Sequence, residues 1–167
     1  NGELARLVTD QVETARKQVD YHLARAQAAA TVRLPGARTP LQPVVDGLVR
    51  TMRRIHAGRD LEWQVEPIRA SPAFRGEEHD LQEMLGNLLD NGWKWAKSRI
   101  SVQATQEGSD VSIVIDDDGP GLSPEEIDIA LVRGQRLDER EGGHGFGLPI
   151  ARELAELHGG SLELTAS

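Results

Sequence analysis

Seam positions recur along residues 1–30 at alternating intervals of three and four, apolar but for one histidine: Ala5, Val8, Val12, Ala15, Val19, His22, Ala26 and Ala29. This is a heptad seam on one uninterrupted helix, which predicts packing in a coiled coil or bundle. An amphipathic helix lying on its own domain gives a similar pattern, and both readings stand. Pro35 and Gly36 break the helix. A second helix opens with Thr39 at the N-cap, Pro40 in the first helical position and Gln42 three residues on, the arrangement of a capping box. Leu41, Val44, Val45, Leu48, Met52 and Ile55 form its predicted buried stripe, and Gly58 is placed to end it. Leu61, Trp63 and Val65 alternate with polar residues and predict a half-buried strand closed by Pro67. A short extended piece follows around Phe74.

The third helix is predicted from about Glu77 to Lys97, with Leu81, Met84, Leu85, Leu88 and Leu89 inward. Ile100, Val102 and Ala104, then Val111, Ile113 and Ile115, predict two strands joined by a tight turn at Gly108 and Ser109. Ser123, Pro124 and Glu126 open a short helix with a second capping box. Residues 132–146 carry no periodicity and predict a loop; seven glycines lie from Gly119 to Gly147, which predicts that this loop moves. A last helix spans about 147–158, ended by Gly159 and Gly160, and Leu162 and Leu164 begin a strand. Helices and strands in this order predict an α+β fold with helices on one face of a mixed, mainly antiparallel sheet.

Composition narrows the function classes. The 167 residues suffice for one ordinary domain and a small appendage. A formal net charge of −8 argues against a nucleic-acid partner, which needs a basic surface. With no cysteine, disulfides and thiolate metal sites are excluded. No apolar run approaches membrane-spanning length.

Three segments carry candidate chemistry. Glu83, Asn87, Asn91 and Lys94 are spaced by four, four and three, so one face of the third helix bears them all. Carboxamide oxygens suit Mg²⁺, a hard cation, and a lysine meets phosphate as a point charge. A solvated polar stripe has the same spacing. The second segment, Asp116-Asp117-Asp118-Gly119-Pro120-Gly121, follows an apolar strand. Glycines there let backbone approach a ligand, and a carboxylate accepts a hydrogen bond from the amine of adenine. An acidic turn is the plain alternative. The third, Gly142-Gly143-His144-Gly145-Phe146-Gly147, runs into the last helix, whose free N–H groups and dipole attract anions. It lacks the Gly-Lys-Ser/Thr of a Walker A loop and the spacing of a Rossmann fingerprint.

In order and spacing the three segments resemble the N, G1 and G2 boxes of the GHKL superfamily, shared by histidine kinases, Hsp90, MutL and type II topoisomerases. Met84-Leu-Gly-Asn-Leu-Leu-Asp-Asn-Gly-Trp-Lys-Trp95 resembles a histidine-kinase N box, and Arg133-Gly-Gln-Arg136 resembles the start of the lid in PhoQ-type sensor kinases. Residues 40–165 are covered, and residues 1–35 resemble the second helix of a dimerisation and phosphotransfer domain.

The resemblance implies a two-layer Bergerat sandwich over 36–167, preceded by an incomplete dimerisation helix over 1–35, with further sequence missing at both ends. It implies ATP with Mg²⁺: Asn87, Asn91 and His144 toward the metal, with His144 standing where PhoQ-type lids carry Gln. Lys94 and Arg136 would contact phosphate, and Trp95 would lie beside the nucleotide. Asp117 would bind the adenine amine in a pocket shaped by Gly119 and Gly121. Gly143, Gly145, Phe146, Gly147 and Leu148 would line the phosphate end. Asn87, Lys94 and Arg136 would serve transfer of the γ-phosphoryl group to a histidine, and from there to an aspartate of a response regulator. The parent would be a homodimeric inner-membrane sensor with this domain in the cytoplasm, binding ATP and releasing ADP.

Gly92 replaces the family's usual alanine. None of the five histidines lies in the family's H-E/D-x-x-x-P acceptor segment. His22 is expected to be a packing residue of the seam, and His56, His79 and His158 to be surface groups. The remaining alternatives are an Hsp90- or MutL-like clamp ATPase, in which Glu83 activates water, and a non-catalytic nucleotide-binding regulator.

Overall fold

The computed structural model describes residues 8, 9, 12, 15, 19, 36–67, 72–131 and 147–165. The chain divides into two compact units, Asn1–Leu34 and Pro35–Ser167. In the first, the described residues are helical, and Val8, Val12 and Val19 of the heptad seam are 55%, 61% and 56% exposed. Valine side chains so exposed at seam spacing form an apolar face left uncovered by the described residues.

The second unit begins with β1 (Thr39–Pro40) and α1 (Leu41–Ile55). The capping box expected at Thr39 does not form. Pro40 is the N-cap, with no side-chain cap. Thr39 is buried, pairs with Phe74 of β3 (Ala73–Phe74), and its Oγ1 donates to the Gly76 carbonyl at 2.8 Å. A buried hydroxyl needs a partner, and the backbone turn before the next helix supplies it. One free N–H of α1, that of Leu41, donates instead to the Pro72 carbonyl at 3.2 Å. The stripe of α1 also differs at its end. Leu41, Val44, Val45 and Val49 are buried, while Ile55 is 67% exposed. Continuing from Met52, the inward slot falls to His56, whose ring stacks on Trp93 at 3.6 Å between centroids. The aromatic partner decides between positions 55 and 56.

β2 (Glu62–Val65), α2 (Glu78–Trp95) and β4 (Arg99–Glu107) form a parallel crossover, β2 lying beside β4. β4 then pairs antiparallel with β5 (Asp110–Asp117) around the two-residue turn predicted at Gly108 and Ser109. Gly108 stands at φ 61°, the left-handed region this tight hairpin requires. The sheet order is β2-β4-β5. α3 (Pro124–Ala130) starts with the predicted capping box: Ser123 Oγ accepts from Glu126 N, and Glu126 Oε2 from Ser123 N. α4 (Gly147–Leu157) closes the second layer. Leu41, Val45, Leu81, Leu85, Leu89, Ile100, Val102 and Leu154 meet in a core of α1, α2 and α4 over the sheet.

The strand expected at Leu162 and Leu164 is absent. Both leucines are half-buried and their neighbours exposed, so the alternation is real, but residues 161–165 have no ladder partner among the described residues. Alternation selects a face; only a neighbouring edge makes a strand.

Two histidines expected at the surface are not there. His56 is half-buried against Trp93. His158 stands edge-on to Phe74 with centroids 4.7 Å apart, and its Nε2 lies 2.8 Å from Asp80 Oδ2, with 12% and 18% of the two side chains exposed. This contact ties the end of α4 to the first turn of α2. His79 is exposed, as expected, 3.9 Å from Glu83. His22 lies outside the described residues.

Candidate functional site

The polar face of α2 is placed as the spacing predicts. Glu83, Asn87, Asn91 and Lys94 are all half-buried, on a face turned away from the buried Leu81, Leu85 and Leu89. Asn87 Nδ2 donates to the Glu83 carbonyl at 2.8 Å. That bond fixes the amide and leaves Oδ1 toward α4: a Cβ on Gly147 would stand 3.3 Å from it. Gly147 therefore lets the first turn of α4 approach the carboxamide more closely than a side chain comfortably permits. The Asn91 carboxamide has no hydrogen-bond partner among the described residues. Lys94 Nζ pairs with Asp90 Oδ2 at 2.6 Å, one turn back. A partly solvated pair at this i,i+4 spacing contributes on the order of 0.5 kcal/mol, so a phosphate can compete for the ammonium.

The acidic triplet separates into distinct roles. Asp117, the last residue of β5, is half-buried, with its Oδ2 near Gly92 of α2 and its Oδ1 accepting from Gly119 N at 2.9 Å. Burial pushes its carboxyl above the ordinary 3.8, the Gly119 N–H opposes this, and the charges of Asp116 and Asp118 add to the rise. Asp118 does the reverse. It accepts from the Ser98 hydroxyl at 2.6 Å and from the amides of Lys97, Ser98 and Arg99. These donors, Ser98 foremost, hold its carboxyl well below 3.8. Asp118 also ends α2: its claim on the Lys97 amide stops the helix at Trp95, short of the predicted Lys97. Sequence reasoning named only Asp117. The signal for Asp118 was Ser98, a hydroxyl in the α2–β4 turn, which becomes informative once hairpin register brings Arg99 beside the end of β5.

The glycines act by different means. Gly121 takes φ 71°. Gly119 is required by proximity: an added Cβ would lie 2.7 Å from the Trp95 carbonyl oxygen. Gly92 is buried, and a methyl group added there would meet its nearest neighbours, Ile100, Asp117 and Ile115, at 3.8–3.9 Å. Because that is ordinary contact, Gly92→Ala is expected to stabilise the fold by roughly 0.5–1 kcal/mol through helix propensity, read as a rise of a few degrees in Tm. A fall in Tm would show that the helix cannot accept the methyl group.

Leu148 has its side chain in the core, so only its backbone N–H can serve the site. With Gly147 it forms the first turn of α4, which ends toward Asn87. Arg136, Gly143, His144, Gly145 and Phe146 lie outside the described residues.

α2 is thus met at Asn87 by the first turn of α4 and, five residues on at Gly92, by the partly desolvated Asp117 carboxylate at the end of β5. The family model for histidine kinase-, DNA gyrase B- and HSP90-like ATPases matches residues 76–167, which holds all three. The chain belongs to this family. Its relatives in this ATPase family include the sensor protein kinase CarS of Pseudomonas aeruginosa, 39% identical over 99% of this chain and 36% of CarS. Sensor protein PhoQ of Escherichia coli is 30% identical over 93% of this chain and 32% of PhoQ. The chain therefore spans about a third of the length of these relatives. The solved structure of a mycobacterial sensor histidine kinase, MprB, superposes with a TM-score of 0.62 at 28% identity, covering 74% of this chain and 80% of that one. The fold is the GHKL sandwich of this ATPase family, and the chain is similar to the corresponding parts of these sensor kinases. These likenesses favour the kinase reading over the clamp ATPase.

Proposed function

We propose that residues 36–167 bind ATP with Mg²⁺ and present its γ-phosphoryl group to a histidine outside this chain, from which it passes to an aspartate of a response regulator. The observation that carries this reading is that one helix, α2, is approached at Asn87 by the first turn of α4 and at Gly92 by the Asp117 carboxylate. Asp117 Oδ2 accepts from the adenine amine. Asn87 Oδ1 and the Asn91 carboxamide are oxygen donors of the kind Mg²⁺ takes, so the donor set fits that ion. Bound there, the ion neutralises charge on the phosphates. Lys94 leaves Asp90 for phosphate, and the N–H groups of Gly147 and Leu148 add the anion-binding end of α4. Trp95 packs beside the nucleotide, and Arg136 and the 142–146 segment, His144 among it, close over the phosphates. This division of labour is positioning and charge stabilisation, which is what phosphoryl transfer chiefly asks of a protein.

Residues 1–35 are the second helix of the dimerisation domain, and the exposed Val8, Val12 and Val19 are the seam it offers to the rest of a homodimeric bundle. The parent is anchored in the inner membrane, with this domain on the cytoplasmic side. Among the described residues no helix is long and apolar enough to cross a membrane.

Calorimetric titration with ATP·Mg²⁺ and GTP·Mg²⁺ tests the reading. ATP is expected to bind and GTP to fail, because guanine carries a carbonyl where adenine carries its amine. Equal affinity for both, or no heat with millimolar ATP in folded protein, would remove the adenine pocket. The domain alone, mixed with labelled ATP, is expected to incorporate no acid-labile phosphate.

A further inference from the structure

The last turn of α2 carries Lys94 and Trp95, yet it has none of the usual terminators. A helix leaves its final carbonyls without intrahelical donors, and glycine in the left-handed region commonly returns the chain to satisfy them. Here Ala96 is the C-cap, with φ −53° and ψ 140°, followed by Lys97 and Ser98. The donors come from elsewhere. Arg59, in the turn after α1, donates from Nη1 to the Trp93 carbonyl at 2.7 Å and to the Lys94 carbonyl at 3.5 Å, and from Nη2 to the Ala96 carbonyl. Its guanidinium carbon also lies 5.2 Å from the Trp93 ring centroid, and Trp93 is in turn stacked on His56.

Resting on the nucleotide-site reading above, we propose that Arg59 is a positioning residue of that site. It holds the end of α2 so that Lys94 and Trp95 stand at a fixed distance from the Asp117 loop. Three arguments support this. A planar guanidinium spans diverging carbonyls that a point charge cannot reach together, and a cation is favoured at a helix C-terminus. The grip falls on the backbone of Trp93, Lys94 and Ala96, directly around the two residues assigned to the nucleotide. The same turn is also held by the Asp117 loop, through the close approach of Gly119 to the Trp95 carbonyl and the hold of Asp118 on Lys97, Ser98 and Arg99. Arg59 and the acidic loop thus both hold the helix end, Arg59 through its carbonyls and the loop through the amides that follow. The Arg59 side chain itself is exposed and touches no atom assigned to the nucleotide.

A plain helix cap would contribute to stability alone, so the test separates stability from placement. Arg59→Gln and Arg59→Lys are compared with the unaltered chain at a temperature where circular dichroism shows all three fully folded. ATP·Mg²⁺ affinity is expected to fall about tenfold in Arg59→Gln, the loss of roughly one charge-assisted contact, with partial recovery in Arg59→Lys. In a Lys94→Ala background the Arg59→Gln effect is expected to shrink, since the contact it places is already gone. Unchanged affinity in folded Arg59→Gln, or an undiminished effect in the Lys94→Ala background, overturns the proposal. Hydrogen exchange of the unliganded proteins is measured in parallel. Faster exchange of the Lys97, Ser98 and Arg99 amides in Arg59→Gln is expected, because loosening the turn loosens what Asp118 holds. If the unaltered chain binds no ATP, the nucleotide reading has failed, while exchange still reports whether Arg59 holds the helix end. Unchanged exchange overturns the hold itself.

Discussion

Asp117→Asn is expected to cost at least about 100-fold in ATP affinity, the upper part of the range for a hydrogen bond to a charged group. The geometry makes this substitution harsher than a loss of charge alone. Asp117 Oδ1 already accepts from Gly119 N at 2.9 Å, which leaves Oδ2 for the adenine amine. Asparagine has one oxygen. If it serves Gly119, an NH₂ group faces an NH₂ group; if it turns to the adenine, the loop loses its tie. The same variant is expected to be no less stable than the unaltered chain. Burial raises the folded-state carboxyl above 3.8, so its favourable protonated contribution is fully present below 3.8 and lost as pH rises through the folded value. At neutral pH the ionised group therefore opposes folding. Nucleotide binding has the opposite sign. It requires the carboxylate, so ATP affinity should decline as the pH falls through a value above 3.8. Calorimetry across pH, with unfolding measured alongside, checks both halves. An Asn variant binding ATP within about threefold of the unaltered chain, far short of the loss of a charged hydrogen bond, would remove Asp117 from the adenine contact.

Gly119→Ala carries the second large effect. The added Cβ would lie 2.5 Å from Asp117 Oδ1, 2.7 Å from the Trp95 carbonyl oxygen and 3.1 Å from its carbon. Two of these three atoms are backbone at a helix end that Arg59 and Asp118 already hold, so they cannot swing aside as a flexible side chain would. The loop must move instead, and the Asp117 carboxylate moves with it. Forced overpacking of this kind costs about 1–3 kcal/mol. Displacement of the adenine acceptor is expected to lower ATP affinity at least about tenfold, as one charge-assisted contact is lost. Urea unfolding and ATP titration of the variant measure the two quantities. Wild-type values for both would show that the loop yields freely, and Gly119 would lose its role in shaping the pocket.

Asp118 completes the contrast within the triplet. Its folded carboxyl lies below 3.8, so its stabilisation is present above 3.8 and is lost as pH falls through the lowered folded value. Adjacent carboxylates thus titrate in opposite directions because one faces a helix and the other gathers backbone amides. Sequence places three identical side chains in a row and contains no statement of which faces which.

The elements legible in advance were those written in local periodicity. The leucines of α2, the Gly108–Ser109 turn, the Ser123 capping box and the glycines after α4 each depend on residues within one or two turns of one another. The common polar face of Glu83, Asn87, Asn91 and Lys94 follows from the same spacing, since a helix puts such positions together wherever it lies. The family resemblance added Asp117 and the order of the three segments, which local pattern alone left as an acidic turn and a glycine-rich loop. The misread positions all depended on distant partners. Thr39 is satisfied by Gly76, His56 by Trp93, and His158 by Asp80, at separations of dozens of residues. Leu162 and Leu164 alternate as a strand should, yet pairing is a property of a neighbour and not of the segment.

The main helices, the β4–β5 hairpin, the polar face of α2 and the ATPase family that the chain resembles were therefore present in the order of the residues, because periodicity and spacing are carried by near neighbours. That Arg59 donates to the last carbonyls of α2, that Asp118 ends the helix and holds the turn while Asp117 faces the helix, and that Gly119 must lack a side chain emerged only when the chain was folded. Each of these depends on a donor, an acceptor or an excluded volume brought from a remote part of the chain, and no local pattern encodes where such groups meet.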